Sequence, residues 1–179
     1  NEYKGVKLLG VFTHGPGQMF LAKKPVTSVA DLAGMKIRSG GGISEASAKA
    51  LGASPLVKPA PESYEILSSG IADGTFFPSE SIKSFNLDKV VKYATFFPGG
   101  FYSSSFGFFM NQDKWDKLPK QDQDAIMSVS GEALARLAGK AWDAADKVGL
   151  ETMKAANVQI IDASPAFVAD VRRLTAPLS

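Results

Sequence analysis

Cysteine is missing from all 179 residues, which excludes disulfides, thiolate metal sites and cysteine nucleophiles. Histidine occurs once, at His14, and no second histidine or carboxylate cluster in the sequence joins it to suggest a metal. Charge of one sign is also lacking: a net charge of +2 shows no bias towards nucleic acid. The small lysine groups Lys23–Lys24 and Lys114, Lys117 and Lys120 read as solvated faces. No apolar run approaches the roughly 20 residues of a membrane-spanning helix. No signal peptide is visible, and the chain starts at Asn1 rather than Met, directly before a strand-like run, as expected of a processed or truncated piece.

What is there is an ordinary globular composition, 45% hydrophobic and 21% charged, long enough for one large domain or two small lobes. The most informative stretch is Met35–Gly52, MKIRSGGGISEASAKALG. A short apolar strand ends in Arg38, three glycines follow, and a helix opens at Ile43 or Ser44. Arg38 is the only arginine before Arg136. A guanidinium offers a planar fork that matches a carboxylate with two parallel hydrogen bonds, which an ammonium cannot do. Glycines at Gly41 and Gly42 let the backbone approach a ligand, and a helix start favours negative charge. Together these features point to a small organic anion. A surface or interlobe salt bridge is the competing reading of Arg38.

Around that stretch, apolar runs alternate with helical patterns. Strands are expected at Val6–Phe12, Met19–Ala22, Met35–Arg38, Ala53–Lys58, Thr75–Pro78, Lys89–Phe96 and Val158–Ile161. Ser28 and Asp31 form a capping-box-like start, and Gly34 ends that short helix. Further helices are expected at Ser44–Leu51, from Pro61, at Ser79–Phe85 and at Pro165–Leu174. The alternation with short connections predicts an α/β sheet of parallel strands. Phe101–Met110, FYSSSFGFFM, is free of charge and reads as a fully buried crossing strand. Pro119 starts a helical pattern that, if continuous to Ala156, would measure about 55 Å, so it spans two lobes or kinks at a glycine. His14 lies in the Gly/Pro loop THGPGQ and is either a ligand or a structural residue.

KGVKLLGVFTHGPGQ, DLAGMKIR, ALGASPLVKPAPESYEILSSGIADG and MNQDKWDKLPKQDQDAI occur in order and at the spacing of a known receptor family. The chain resembles the periplasmic solute receptors of tripartite ATP-independent periplasmic (TRAP) transporters, the DctP-like family. The resemblance runs from about Val6 to about Ala156. It implies a periplasmic-binding-protein-like α/β architecture, with two lobes joined by hinge-crossing strands and one long spanning helix. It further implies that most of the first lobe is absent. On that basis, residues 1–103 would be a second-lobe segment with the first hinge strand. Residues 104–143 would hold the crossing strand and helices of the first lobe, and residues 144–179 the end of the spanning helix and the return to the second lobe.

By the same resemblance, Arg38 would grip a ligand carboxylate and the closed receptor would dock on TRAP membrane permease subunits in the periplasm, without cofactor, metal or nucleic acid. Other positions depart from the family pattern. Gly17 stands near the place of a frequent second arginine, leaving His14 or Gln18 as a substitute donor. Phe77, beside Phe76, stands where an asparagine is common, and Ala60 where an aromatic is usual. Phe76 and Phe77 either fill the core on alternate faces or send one ring into the cleft. Tyr64 and Tyr102 reach the same space or serve as structural hydroxyls. The pocket is thus expected to suit a monocarboxylate with an apolar or aromatic body. A hydrolase would need a nucleophile from Ser39, Ser44 or Ser103–Ser105 with His14, but no G-x-S-x-G elbow is present. A periplasmic sensory or ligand-binding domain uncoupled from transport is the further alternative. Hinge elements lacking their partner lobe would favour a homodimer of the truncated chain.

Overall fold

In the computed structural model, which describes residues 3–178, the chain alternates eight strands with seven α-helices. A six-stranded sheet carries most of the core. Its strands are β2 (Gln18–Leu21), β3 (Lys36–Ser39), β4 (Ser54–Val57), β5 (Gly74–Phe77), β6 (Tyr93–Phe96) and β8 (Gln159–Asp162), in the spatial order β4-β3-β5-β2-β6-β8. A separate antiparallel ribbon pairs β1 (Val6–Thr13) with β7 (Ser105–Asn111).

The sheet is mixed rather than all parallel. β3 runs parallel to both β4 and β5, and β6 to β8, but β2 is antiparallel to β5 and β6. The cause is the connection from β2 to β3, which holds only a short 3-10 turn at Val29–Leu32 and no crossover helix. β5 lies between β2 and β3 and is parallel to β3, so β2 runs opposite to β3, as a connection without a crossover helix allows. Ser28 and Asp31 do form the expected reciprocal cap of that turn.

Side chains alternate across the sheet with period two, so neighbouring residues supply opposite cores. Met19, Leu21, Ile37 and Phe76 join Leu51, Phe97, Phe167 and Val171 on one face. This side is covered by α1 (Gly42–Ala50) and α7 (Pro165–Thr175). Phe20, Phe77 and Ala94 join Ile66, Ile82, Leu87 and Met153 on the other. That side is covered by α2 (Ser63–Ser68), α3 (Glu80–Ser84) and the end of α6 (Glu132–Ala155).

For the second half of the chain, one expectation is corrected and another is resolved between its alternatives. The aromatic run is a strand only from Ser105, and it is exposed: Phe106, Phe108 and Phe109 all reach solvent. α6 and α4 (Gln112–Asp116) pack against parts of the ribbon, yet these rings stay open to solvent. The helical pattern after Pro119 is not one rod. It divides into α5 (Lys120–Ser128) and α6, a 24-residue helix of about 36 Å. The break falls at Gly131, whose φ of 59° suits glycine. Its N–H leaves the helix to donate to the Leu9 carbonyl at 2.6 Å, beside the irregularity that shifts the β1–β7 register between Leu8 and Gly10. Gly139, the other candidate kink, stays inside the helix.

Candidate functional site

β3 ends at the floor of a cleft of about 620 Å³. Its walls come from the sheet (Arg38, Phe76 and Phe77), from the ribbon and the residues flanking it (Phe106, with His14 and Ser104) and from α6 (Trp142). Pro78, Ala60 and Val57 add apolar surface, and Phe85 stacks on Phe77 at 5.7 Å between centroids. Trp142 lies parallel to Phe106 on the opposite wall, their centroids 6.1 Å apart. A largely apolar cavity rich in aromatic rings, with a few polar groups, is the usual form of a small-molecule site.

Arg38 is 2% exposed and rests on the Phe77 ring, its guanidinium carbon 4.1 Å from the centroid. Nε and Nη2 both donate to the Lys58 carbonyl, at 2.9 and 2.6 Å. That fixes one edge of the fork; among the described hydrogen bonds nothing engages Nη1. No described carboxylate lies within ion-pair distance of the guanidinium; Glu62, which acts on its charge, is paired with Lys58. Burial lowers the Arg38 pKa from 12.5 to about 10, opposed by Tyr102 and Glu62, so it stays charged at neutral pH. A buried cation without an anionic partner is costly unless something supplies the negative charge. Among the described residues, Arg38 makes no salt bridge.

The glycine loop after β3 turns the backbone sharply into α1. Gly41 and Gly42 have φ of 89° and 55°, in the left-handed region. Gly41 lines the cleft, and Ser44, whose hydroxyl donates to the Gly41 carbonyl at 2.9 Å, lines it too. Gly42 is exposed and lies outside the wall.

The remaining predicted residues separate clearly. Tyr102 borders the cavity with a hydroxyl that no described group engages; burial raises its pKa and the Arg38 charge opposes this, so it is a protonated donor. Its ring fills the space where a side chain at Gly17 would begin. The absence of an arginine there and the presence of Tyr102 are thus one packing solution. His14 also lines the cleft, but both ring nitrogens are taken. Nε2 accepts the Ser104 N–H at 3.1 Å, which leaves Nδ1 to donate to the Gly15 carbonyl. It offers the ligand a ring, not a free donor. Gln18 is not in the wall: its amide nitrogen donates to the Phe97 carbonyl at 3.2 Å and its oxygen accepts the Phe97 N–H at 2.7 Å. Tyr64 is exposed on α2, also outside the wall. Phe76 and Phe77 belong to different cores and both touch the cavity.

Sequence reasoning passed over Trp142, Phe106, Phe85 and Glu80, which all border the cleft. Trp142 had a signal, a lone indole within the alanine-rich helix AGKAWDAA. Two features argue against catalysis. The sole histidine is held by backbone on both nitrogens, and Ser39, a proposed nucleophile, is wholly buried. No group of three or more metal-ligating side chains occurs among the described residues. No helix among them is long and apolar enough to cross a membrane.

The whole chain, residues 1–179, matches the family model for the bacterial extracellular solute-binding protein, family 7 (DctP). A TRAP periplasmic solute-binding protein from Bordetella bronchiseptica, solved with bound (R)- and (S)-mandelate, is 48% identical with a TM-score of 0.94. The match covers 98% of this chain and 56% of that one. A marine-metagenome TRAP solute-binding protein specific for aromatic acids, solved with 3-hydroxybenzoate, is 33% identical with a TM-score of 0.90, over 96% of this chain and 54% of its own. The curated outer membrane transporter protein TsaT of Comamonas testosteroni is 31% identical over all of this chain and 53% of its own length. The chain thus spans about half the length of these relatives. The architecture is that of the two-lobe TRAP binding proteins in part, and these neighbours are binding proteins, not enzymes. By the match over its full length, the chain belongs to the DctP family of bacterial extracellular solute-binding proteins.

Proposed function

We propose that this chain is the ligand-gripping part of a periplasmic receptor that captures an organic monocarboxylate with an apolar or aromatic body and hands it to a TRAP permease. The observation that carries this reading is Arg38, buried and charged with no carboxylate partner among the described residues, at the edge of an aromatic cleft. The ligand carboxylate supplies the missing anion. It meets the end of the guanidinium left open by Lys58, with the Tyr102 hydroxyl and the backbone at Gly41 beside it. Charge-assisted hydrogen bonds of this kind strengthen as water leaves the site.

The aryl or alkyl body then lies among Phe77, Phe85, Phe106 and Trp142. The mandelate and 3-hydroxybenzoate bound by the related proteins have this form, one carboxylate on an aromatic ring or one carbon away from it. Because the walls come from the sheet on one side and from the ribbon and α6 on the other, a ligand that touches both favours the closed arrangement. Hinge-closing proteins convert occupancy into a shape a partner can read in this way. No residue needs to make or break a bond.

The test is calorimetric titration of the full-length protein with benzoate and mandelate, beside Arg38→Ala. Binding of either acid that weakens at least about 30-fold in the variant supports the reading, in line with removing one partner of a buried charge pair. Equal affinity in the two proteins would falsify Arg38 as the anchor.

A further inference from the structure

Beyond Arg38, two charged side chains border the cleft, Lys58 and Glu80. The Lys58 ammonium is already matched by Glu62, 3.3 Å away. Glu80 has no cationic partner among the described residues. One of its oxygens accepts the Ser81 hydroxyl at 2.7 Å and the other the Ser84 hydroxyl at 2.6 Å. Its own N–H donates to Asp146 on α6 at 2.8 Å. Burial, reinforced by the neighbouring Glu80 charge, raises the Asp146 carboxyl, so two acids stand close together behind this wall. Glu80 also borders a smaller groove of about 350 Å³ along α6, next to Trp142. The cleft is therefore lined by one positive and one negative side chain that lack ionic partners among the described residues, together with aromatic surface.

We propose that Glu80 is a specificity-determining residue that bars a second carboxylate and accepts a hydroxyl from the far end of the ligand. This rests on the monocarboxylate reading above and narrows it to hydroxyaryl monocarboxylates. A dicarboxylate anchored on Arg38 would bring its second charge into a cleft that Glu80 also lines, with no free cation among the described lining residues to receive it. Like charges brought together in a desolvated site weaken binding strongly. A phenolic or alcoholic hydroxyl meets the opposite situation. Each Glu80 oxygen has a second lone pair, since one serine hydroxyl uses only the first.

A matched pair of probes tests this in the full-length protein: 3-hydroxybenzoate and isophthalate, which place a hydroxyl or a carboxylate at the same ring position. Benzoate is the reference. Wild type should bind 3-hydroxybenzoate at least about tenfold more tightly than isophthalate. In Glu80→Gln, which keeps an acceptor for the serines, the ratio of isophthalate to benzoate affinity should rise by about tenfold or more. The inference is overturned if wild type binds isophthalate as well as 3-hydroxybenzoate, or if that ratio does not move in the variant. Benzoate separates the two levels. If it binds through Arg38 and the ratio stays fixed, only the role of Glu80 fails. If neither benzoate nor the other acids bind wild type, the receptor reading fails and the inference goes with it.

Discussion

Replacing Arg38 by methionine should have opposite consequences for binding and for folding. Methionine keeps an unbranched side chain of comparable length and removes the charge. In the ligand-free protein the charge is a burden: burial takes the pKa from 12.5 to about 10, a difference that corresponds to about 3 kcal/mol. Because the folded value lies below the unfolded one, this cost applies at every pH below about 10 and disappears with the guanidinium. Against it stand the two hydrogen bonds to the Lys58 carbonyl and the contact with Phe77. Leaving a buried carbonyl unpaired costs about 1–3 kcal/mol, and a desolvated cation–π contact is worth up to about 2 kcal/mol. The terms nearly cancel, so the ligand-free melting temperature should move by only a few degrees.

The liganded protein behaves differently. At a ligand concentration of about 100 Kd, wild type gains about 2.7 kcal/mol, or roughly 5–10 °C for a chain of this size. Arg38→Met should show none of that gain. Differential scanning calorimetry with and without benzoate reads both quantities in one experiment. A variant that still gains several degrees from benzoate would refute the role of the guanidinium. A ligand-free variant melting more than about 10 °C lower would show that Arg38 is mainly a structural tie to Lys58.

Two further perturbations probe the frame around the cleft. Gly149→Ala places a methyl group against the Ser79 carbonyl, where α6 crosses the start of α3, and should destabilise by about 1–3 kcal/mol; an unchanged urea midpoint would contradict so close a contact. Asp146→Asn keeps an acceptor for the Glu80 N–H but removes a half-buried charge whose folded pKa is raised, first by burial. The wild-type penalty is complete above that raised value and absent below the unfolded value of 3.8, so the variant should be the more stable near pH 7 and equal to wild type below about pH 4. A variant that is less stable near pH 7 would reverse the sign of the argument.

Much of this architecture could be read from local pattern. Short apolar runs mark β2 and β5, the Arg38–Gly42 turn has residues only a tight approach requires, and the caps fall where Ser28 and Gly34 put them. What failed depended on distant partners. The reversed direction of β2 follows from what its connection lacks, and its own residues do not encode it. Phe106, Phe108 and Phe109 read as interior because aromatic runs usually are, yet their neighbours here leave them open. Of the predicted residues, Arg38, Gly41, Phe76, Phe77, His14 and Tyr102 line the cleft, whereas Gly42 faces solvent and Gln18 and Tyr64 are drawn away by backbone bonding and by helix phase. Trp142 and Glu80 enter only because α6 crosses α3, a contact between residues far apart in sequence.

The return of the chain to its sheet has a kinetic consequence. β8 joins β6 only after the ribbon, α5 and α6 have all been made, and Phe167 and Val171 complete a core begun at Met19. Contacts between such distant positions impose a large loop-closure cost before they contribute any stability, and they slow folding. While the chain is still being made, the sheet therefore lacks an edge strand and part of one hydrophobic face. A polypeptide that stays open until its late segments arrive can be threaded through a narrow channel, whereas one that closes early must first be pulled apart.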